Sequence, residues 1–194
     1  MAWSKEHKAQ TRNAILKSAA ELFLKHGYDH VGINDVMKHA DLTRGAFYHH
    51  FESKSDLYAQ AIKAQALSMV DFLNPNAPGA PPFNTLIEHY LGQEHKEGMT
   101  INCPLAYLVS DINQRDEQVR ATYTELFKGF NAYLNLRLRK ADQGLSKQEI
   151  QAESLMHAVL MIGGLSIARA IDDEALSHQI LEACQSNLKA RTAL

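Results

Sequence analysis

Apolar residues recur at the three- and four-residue spacing of an α-helix along most of this chain, and no stretch alternates as a β-strand does. Ile15, Ala19 and Phe23, for example, fall on one stripe of a first helix. Hydrophobic residues make up 45% of the 194 residues, which is ample for a core. The pattern therefore predicts an all-α protein.

Glycine, proline and hydroxyl residues divide this helical pattern. Gly27 is expected to end the first helix, and Ser53 can cap the helix that begins at Lys54. The stretch Asn74–Pro82 holds four of the five prolines and is predicted to be a loop. The predicted helices are Lys5–His26, a short helix after Gly32, Arg44–His50 capped by Thr43, one beginning at Lys54, Phe83–Lys96, Pro104–Ile112, Arg115–Lys140, residues 147–171 and a last helix with Asp172–Glu174 at its N-terminus.

The helix at residues 147–171 is apolar nearly all round between Leu155 and Ala168. We expect the core to cover one side of it and a partner subunit the other. Gly163, Gly164 and Ser166 would allow a neighbouring helix to approach closely. The apolar run is shorter than the roughly 18 residues of a membrane span, so we expect no membrane partner.

The stretch DLTRGAFYHHFESKSDL, residues 41–57, mixes small, aromatic and basic side chains around one turn. Two short helices separated by a tight turn have the order of a helix-turn-helix, whose second helix enters the major groove. Phe47 and Phe51, four residues apart, are expected to face the core with Leu42. The residues left on the outer side are Arg44, Gly45, Ala46 and His49.

This outer side suits a nucleic acid. Small residues permit a close approach, and Arg44 can reach a base edge. Tyr48 and Lys54 are placed for phosphate oxygens, the latter beside the amide-rich start of the next helix. Residues 1–63 carry nine basic and seven acidic side chains and six of the ten histidines, which is a modest preference for a polyanion.

The segment from Ala14 to Leu57, AILKSAAELFLKHGYDHVGINDVMKHADLTRGAFYHHFESKSDL, resembles the DNA-binding domain of the TetR/AcrR-type transcriptional regulators. The resemblance rests on the order of six features: an aliphatic helix, a Gly-aromatic pair, a short helix, a turn, GAFYHHF and SK..L. Asp41 stands where this family usually has Gly. We therefore expect a left-handed or otherwise less common backbone at this turn, which Asp tolerates better than most residues.

The resemblance implies a homodimeric repressor that binds double-stranded operator DNA and responds to a small-molecule effector. We expect a DNA-binding head at residues 1–50, a helical ligand-binding and dimerisation body at 51–194, and a largely apolar effector. With two cysteines and no apolar leader, we expect a cytoplasmic protein. The DNA contacts that the family implies are Asn34, Thr43, Arg44, Gly45, Ala46, Tyr48, His49 and Lys54.

Several residues of the body are candidates for the effector site, each with an ordinary structural alternative. The aromatic residues could line a cavity or fill a core, and His157 could be a ligand contact or a satisfied core histidine. Cys103 could be a small buried side chain or a reactive thiol, which needs exposure and a lowered pKa. The candidates are Cys103, Tyr107, Tyr123, Phe127, Phe130, His157 and Met161.

Two other function classes remain open on the sequence. A helical enzyme acting on a small molecule is one, but no Gly-rich phosphate loop, G-x-S-x-G or HExxH motif is present. A helical adaptor that binds only protein is the other, and it would leave TRGAFYHHF without a reason. His49 and His50 are adjacent and point in different directions on a helix, so we expect no metal site there, and we expect no cofactor.

Overall fold

The computed structural model describes residues 5–69, 81–99, 102–141 and 144–192, and the regular structure in these ranges is helical, so the predicted all-α class is confirmed. The predicted loop Asn74–Pro82 lies outside the described residues except for Pro81 and Pro82, which are not helical. The helices are α1 Lys5–His26, α2 Ile33–His39, α3 Arg44–Phe47, α4 Lys54–Ser68, α5 Phe83–Tyr90, α6 Gln93–Lys96, α7 Pro104–Tyr107, α8 Val109–Ile112, α9 Glu117–Ala141, α10 Lys147–Ala170 and α11 Glu174–Thr192.

These helices form two compact units, and each unit is made from two separate stretches of chain. The first unit contains Met1–Ser68 and Leu108–Thr124, and the second contains Met69–Tyr107 and Glu125–Leu194. Helix α9 therefore begins in the first unit and ends in the second. The head and body predicted from the resemblance are a functional division of the chain, which stays a proposal.

The core of the first unit is built on α1, which packs against α2 and α4. Ile15, Ala19 and Phe23 are buried on one face of α1, as their spacing predicts. Gly27 ends the helix in the left-handed conformation with φ of 75°, and its N–H donates to the Phe23 carbonyl at 2.8 Å. Across from α1, Leu57 of α4 is also fully buried.

Two predicted caps in the first unit have different outcomes. The Ser53 hydroxyl accepts a hydrogen bond from the Asp56 N–H at 3.0 Å, so its predicted role at the start of α4 is confirmed. Thr43 occupies the cap position of α3, but its hydroxyl makes no cap hydrogen bond. Helix α3 also ends at Phe47, earlier than predicted, because residues 48–50 continue as turns.

Two predicted helices are each divided in two. The segment predicted as Phe83–Lys96 breaks at Gly92, where an added Cβ would lie 2.9 Å from the Glu88 carbonyl oxygen. That close approach to backbone requires glycine. The segment predicted as Pro104–Ile112 breaks at Leu108, whose φ of −117° and ψ of 6° leave the helical region while its side chain is buried.

The second unit is organised by α10 and α11, which pack closely along their lengths. Ser146 caps α10 by accepting from the Glu149 N–H at 3.3 Å, and the Glu149 carboxylate accepts from the Ser146 N–H at 2.8 Å. An added Cβ at Gly164 would lie 2.7 Å from the Cys184 Sγ, so glycine is what permits this approach. Gly163 has no such neighbour within 4 Å, so a close helix approach at that residue stays a prediction.

The other face of α10 exposes large apolar side chains. Val159 is 58% exposed and Ile167 is 54% exposed, and Leu155 and Met156 are also exposed on the same helix. By length and composition alone, Lys147–Ala170 would pass as a membrane span, and core helices of soluble proteins do the same. The sequence-based argument that the apolar run is too short therefore does not hold for the whole helix.

Candidate nucleic-acid interface

The turn between α2 and α3 is closed by an unusual backbone conformation. Asp41 has φ of 55°, in the left-handed region, which confirms the expectation for this position. The following N–H, of Leu42, donates to the Met37 carbonyl at 2.9 Å. An open groove of about 350 Å³ lies along this turn and is lined by Asn34, Met37, Lys38, Asp41, Leu42, Thr43 and Arg44.

Helix α3 is held against the core by two aromatic side chains. Phe47 is fully buried and Phe51 is 3% exposed, and their ring centroids lie 5.7 Å apart. The Arg12 guanidinium of α1 lies over the Phe51 ring at 5.4 Å from its centroid. The predicted inward direction of both phenylalanines is confirmed, and it fixes which side of α3 faces outward.

The outward side presents the residues expected there. Asn34, Thr43, Arg44, Gly45 and His49 are exposed. Tyr48 is 59% exposed although its ring packs edge-on against Phe47, with centroids 5.2 Å apart. Ala46 is half-buried, so it offers less surface than the sequence pattern predicts.

The backbone at Gly45 is open to solvent on the side where a side chain would project. A Cβ built at this position meets no atom within 4 Å, and its φ is not in the left-handed region. The protein therefore has no packing or conformational need for glycine at this position. A close approach of another molecule to the α3 backbone would supply one.

Lys54, which the sequence places for a phosphate contact, packs on an aromatic ring. It is half-buried, and its Nζ lies 4.0 Å from the centroid of the Tyr28 ring. Burial lowers the pKa of Lys54, while the neighbouring Asp29 carboxylate acts in the opposite direction. The amine of Lys54, at the start of α4, thus packs on the ring of Tyr28, which follows α1.

His50 has a buried ring nitrogen whose environment the sequence did not predict. Its Nδ1 is buried and has no hydrogen-bond partner in the described part of the chain. Burial lowers the pKa of His50, and nearby basic side chains, Lys8 foremost, lower it further. Its position three residues after the inward-facing Phe47 is the sequence signal that could have indicated this half-buried site.

The side chains predicted for an effector site are distributed over both units. Tyr123 belongs to the first unit and the other six to the second. Tyr107, Tyr123 and Phe127 are half-buried, while the rest are buried. Among the described residues, no group of three His, Cys, Asp or Glu side chains is placed to hold a metal ion.

Two of these residues have clear local partners. Burial raises the pKa of Cys103, partly offset by a hydrogen bond from Tyr90, so the thiol is neither exposed nor acidic. His157 shares a hydrogen bond of 2.8 Å between its Nδ1 and the Glu153 carbonyl and stacks on Phe83. Burial lowers the pKa of His157. Their roles in binding an effector stay predictions.

Comparison with known proteins identifies the helix-turn-helix region. Residues 15–61 match the family described as "Bacterial regulatory proteins, tetR family". The match covers α1 from Ile15 onward, α2, α3 and the first part of α4. It includes every residue of the outward surface described above. The helix-turn-helix region of the chain is therefore similar to that of the TetR family.

Individual proteins resemble the chain over different extents. It is 32% identical to the transposon Tn10 TetC protein of Escherichia coli over 44% of the chain and 45% of TetC. It is 39% identical to the HTH-type transcriptional repressor BepR of Brucella suis over 30% of the chain and 28% of BepR. The chain thus matches less than half the length of either relative.

The likeness of fold extends over the whole chain. A TetR-family transcriptional regulator from Cytophaga hutchinsonii superimposes with a TM-score of 0.77 at 18% identity, covering 98% of each chain. At this identity the comparison concerns the fold alone. The helical region that follows the helix-turn-helix therefore has the fold of this TetR-family structure as well.

Proposed function

We propose that this chain is a DNA-binding transcriptional repressor that acts as a homodimer in the cytoplasm. The observation that carries the proposal is the division of α3 into two sides. Phe47 is fully buried, while Arg44 and Tyr48 project outward beside the open backbone of Gly45. An arginine beside a backbone open to close approach is suited to a base edge in the major groove, and an exposed tyrosine hydroxyl is suited to phosphate.

Repression is supported by relatives. BepR is named a transcriptional repressor, and IcaR of Staphylococcus aureus, 24% identical over 71% of the chain, is named a negative transcriptional regulator. The family consists of regulators rather than enzymes. We infer that operator binding by this chain likewise blocks transcription, with a largely apolar small molecule as the effector that releases it.

Dimerisation is supported by the outer face of α10. Val159 and Ile167 are more than half exposed, and Leu176 at the start of α11 is 43% exposed. Such a large apolar surface is unusual on a soluble monomer and typical of an interface between subunits. A second copy of the chain fits this surface because a two-fold dimer pairs the same patch with itself. A membrane surface is the competing occupant, and a vesicle-binding assay separates the two.

Binding-site selection from random DNA tests the DNA-binding part directly. A dimer with two copies of α3 is expected to recover an inverted repeat with half-sites about 34–36 Å apart. Affinity for the recovered site is expected to fall steeply with salt as counterions are released. Recovery of no common sequence, together with binding that ignores salt, would contradict the proposal.

The effector part needs a separate experiment. Compounds that raise the melting temperature of the protein are collected first, because a ligand of the native state stabilises it. Each is then added to the protein–operator complex. At least one apolar compound is expected to release DNA, since an effector must favour a conformation that binds operator poorly. If every stabilising compound leaves operator affinity unchanged, the effector proposal fails while DNA binding stands.

A further inference from the structure

The segment Leu108–Thr124 belongs to the first unit although it is far in sequence from the helix-turn-helix, and two of its charged residues contact the region that follows α1. The first is Asp111. Its Oδ2 accepts a hydrogen bond from the Tyr58 hydroxyl at 2.6 Å and another from the Tyr28 N–H at 3.2 Å. Tyr58 is fully buried on α4, and Tyr28 follows α1. Asp111 therefore connects the end of α1 to α4.

The second is Arg115, whose side chain is only 9% exposed. Its Nη1 and Nη2 donate to the two carboxylate oxygens of Asp29 at 3.0 and 2.8 Å. Its Nε donates to the Asp111 carbonyl at 3.0 Å, and its Nη2 lies 3.1 Å from the Asp111 carboxylate. A two-pronged arginine–carboxylate pair of this kind fixes both partners in one geometry. Both carboxylate oxygens of Asp29 thereby accept hydrogen bonds from Arg115.

Arg115 and Lys54 share one aromatic ring. The Cζ of Arg115 lies 4.4 Å from the centroid of Tyr28, and the Nζ of Lys54 lies 4.0 Å from the same centroid. Asp29 is the largest attractive charge acting on Lys54, and the hydrogen bonds of Arg115 hold down the pKa of Asp29. Two cations and the carboxylates of Asp29 and Asp111 thus meet at Tyr28. Arg115 pairs with both carboxylates, and Asp111 also accepts from the Tyr58 hydroxyl.

We propose that Arg115 and Tyr28 are positioning residues for the phosphate contact of Lys54, although neither touches DNA. This inference rests on the proposed DNA-binding function. Arg115 keeps Asp29 occupied, so that Lys54 is free to bind a phosphate rather than the carboxylate. Tyr28 supplies the surface on which the flexible lysine side chain rests, which reduces the rotamer freedom lost when DNA binds.

The test is a rescue experiment on the full-length protein, with operator and unrelated DNA measured over a range of salt concentrations. Arg115→Gln is expected to weaken both affinities about tenfold, the size of one charged hydrogen bond. It should also lower the slope of log affinity against log salt by about 0.9, which is one phosphate contact. Adding Asp29→Asn should restore both quantities, because the competing carboxylate is gone.

A second comparison separates positioning from general damage. In a Lys54→Ala background, Arg115→Gln is expected to cause no further loss of affinity. Tyr28→Leu should behave as Arg115→Gln does, while Tyr28→Phe, which keeps the ring, should remain near wild type. Arg120→Gln is the matched control, since Arg120 is an exposed arginine of α9 in the same unit. If Arg115→Gln does not fold, Arg115→Lys and the two Tyr28 variants carry the test.

The outcomes are distinct. Absence of DNA binding by the wild type overturns the proposed function and this inference with it. Normal DNA binding by Lys54→Ala overturns only the inference. It is also overturned if Asp29→Asn fails to rescue Arg115→Gln, or if Arg115→Gln weakens binding equally with and without Lys54. In those cases Arg115 contributes to the stability of the unit and has no role in placing Lys54.

Discussion

At position 45 the surface that the proposed function presents to DNA is the backbone itself. Because no protein atom lies near the missing Cβ, Gly45→Ala is expected to leave the fold intact. Replacing glycine in a helix can even add up to about 0.5–1 kcal/mol of stability. Operator affinity should nevertheless fall, since the methyl group meets DNA. Thermal denaturation and operator titration of the same variant check the two effects, and an unchanged operator affinity would contradict close approach at this position.

Arg44 and Tyr48 are expected to differ in what their loss does. Arg44→Ala should lower operator affinity by about 1–3 kcal/mol and relax the preference at one or two base pairs of each half-site. Tyr48→Phe should weaken operator and unrelated DNA to the same degree, because a phosphate contact carries no base information. Repeating site selection with each variant measures this. Equal losses on both DNAs for Arg44→Ala would rule out base reading.

At the scale of the helix, the exposed face of α10 gives the sharpest prediction. Val159→Lys is expected to convert the proposed dimer to a folded monomer and to reduce specific DNA binding, since one α3 alone contacts half an operator. Val109→Lys is the matched control, because Val109 is also exposed, at 42%, but lies outside α10 and α11. Sedimentation analysis distinguishes the two. A wild-type protein that sediments as a monomer at micromolar concentration would remove the prediction.

The helices also show where sequence reasoning succeeds and where it stops. Caps and stripes are local, so the bounds of α1, the Ser53 cap and the conformation of Asp41 could be predicted. The break at Gly92 depends on a carbonyl that the fold brings close, and periodicity carries no such information. The pairing of Arg115 with Asp29 joins residues 86 positions apart, so no local pattern could indicate it.

For the molecule as a whole, His95 predicts how stability depends on pH. Its buried ring is held in one neutral form, with Nδ1 bonded to the Tyr90 carbonyl and Nε2 accepting from the Cys103 N–H at 3.1 Å. Tyr107 stacks on it, and the positive charge of Arg169 is close enough to oppose protonation. Burial is the main cause that lowers the pKa of His95 below its ordinary value.

The direction in which pH changes the free energy of unfolding depends on how many protons His95 binds in the folded and unfolded states. Between about pH 6.5 and the lowered pKa of His95, the unfolded chain binds a proton at this histidine while the folded protein does not, so the free energy of unfolding falls as pH falls. His95→Gln cannot titrate and should make that decline shallower, even though the variant is less stable at neutral pH. His157, whose pKa is also lowered by burial, contributes in the same direction. Denaturant titrations between pH 5 and 8 measure the slopes, and equal slopes would contradict this role for His95.

The two-stretch composition of the first unit has a consequence for protein engineering. A chimera that joins Met1–Ser68 to the body of another regulator would carry the whole helix-turn-helix but leave Asp111 and Arg115 behind. Tyr58 would then keep a buried hydroxyl without its acceptor, and Asp29 would be left facing Lys54. Transferring the first unit of this protein to another regulator therefore requires two segments, Met1–Ser68 and Leu108–Thr124.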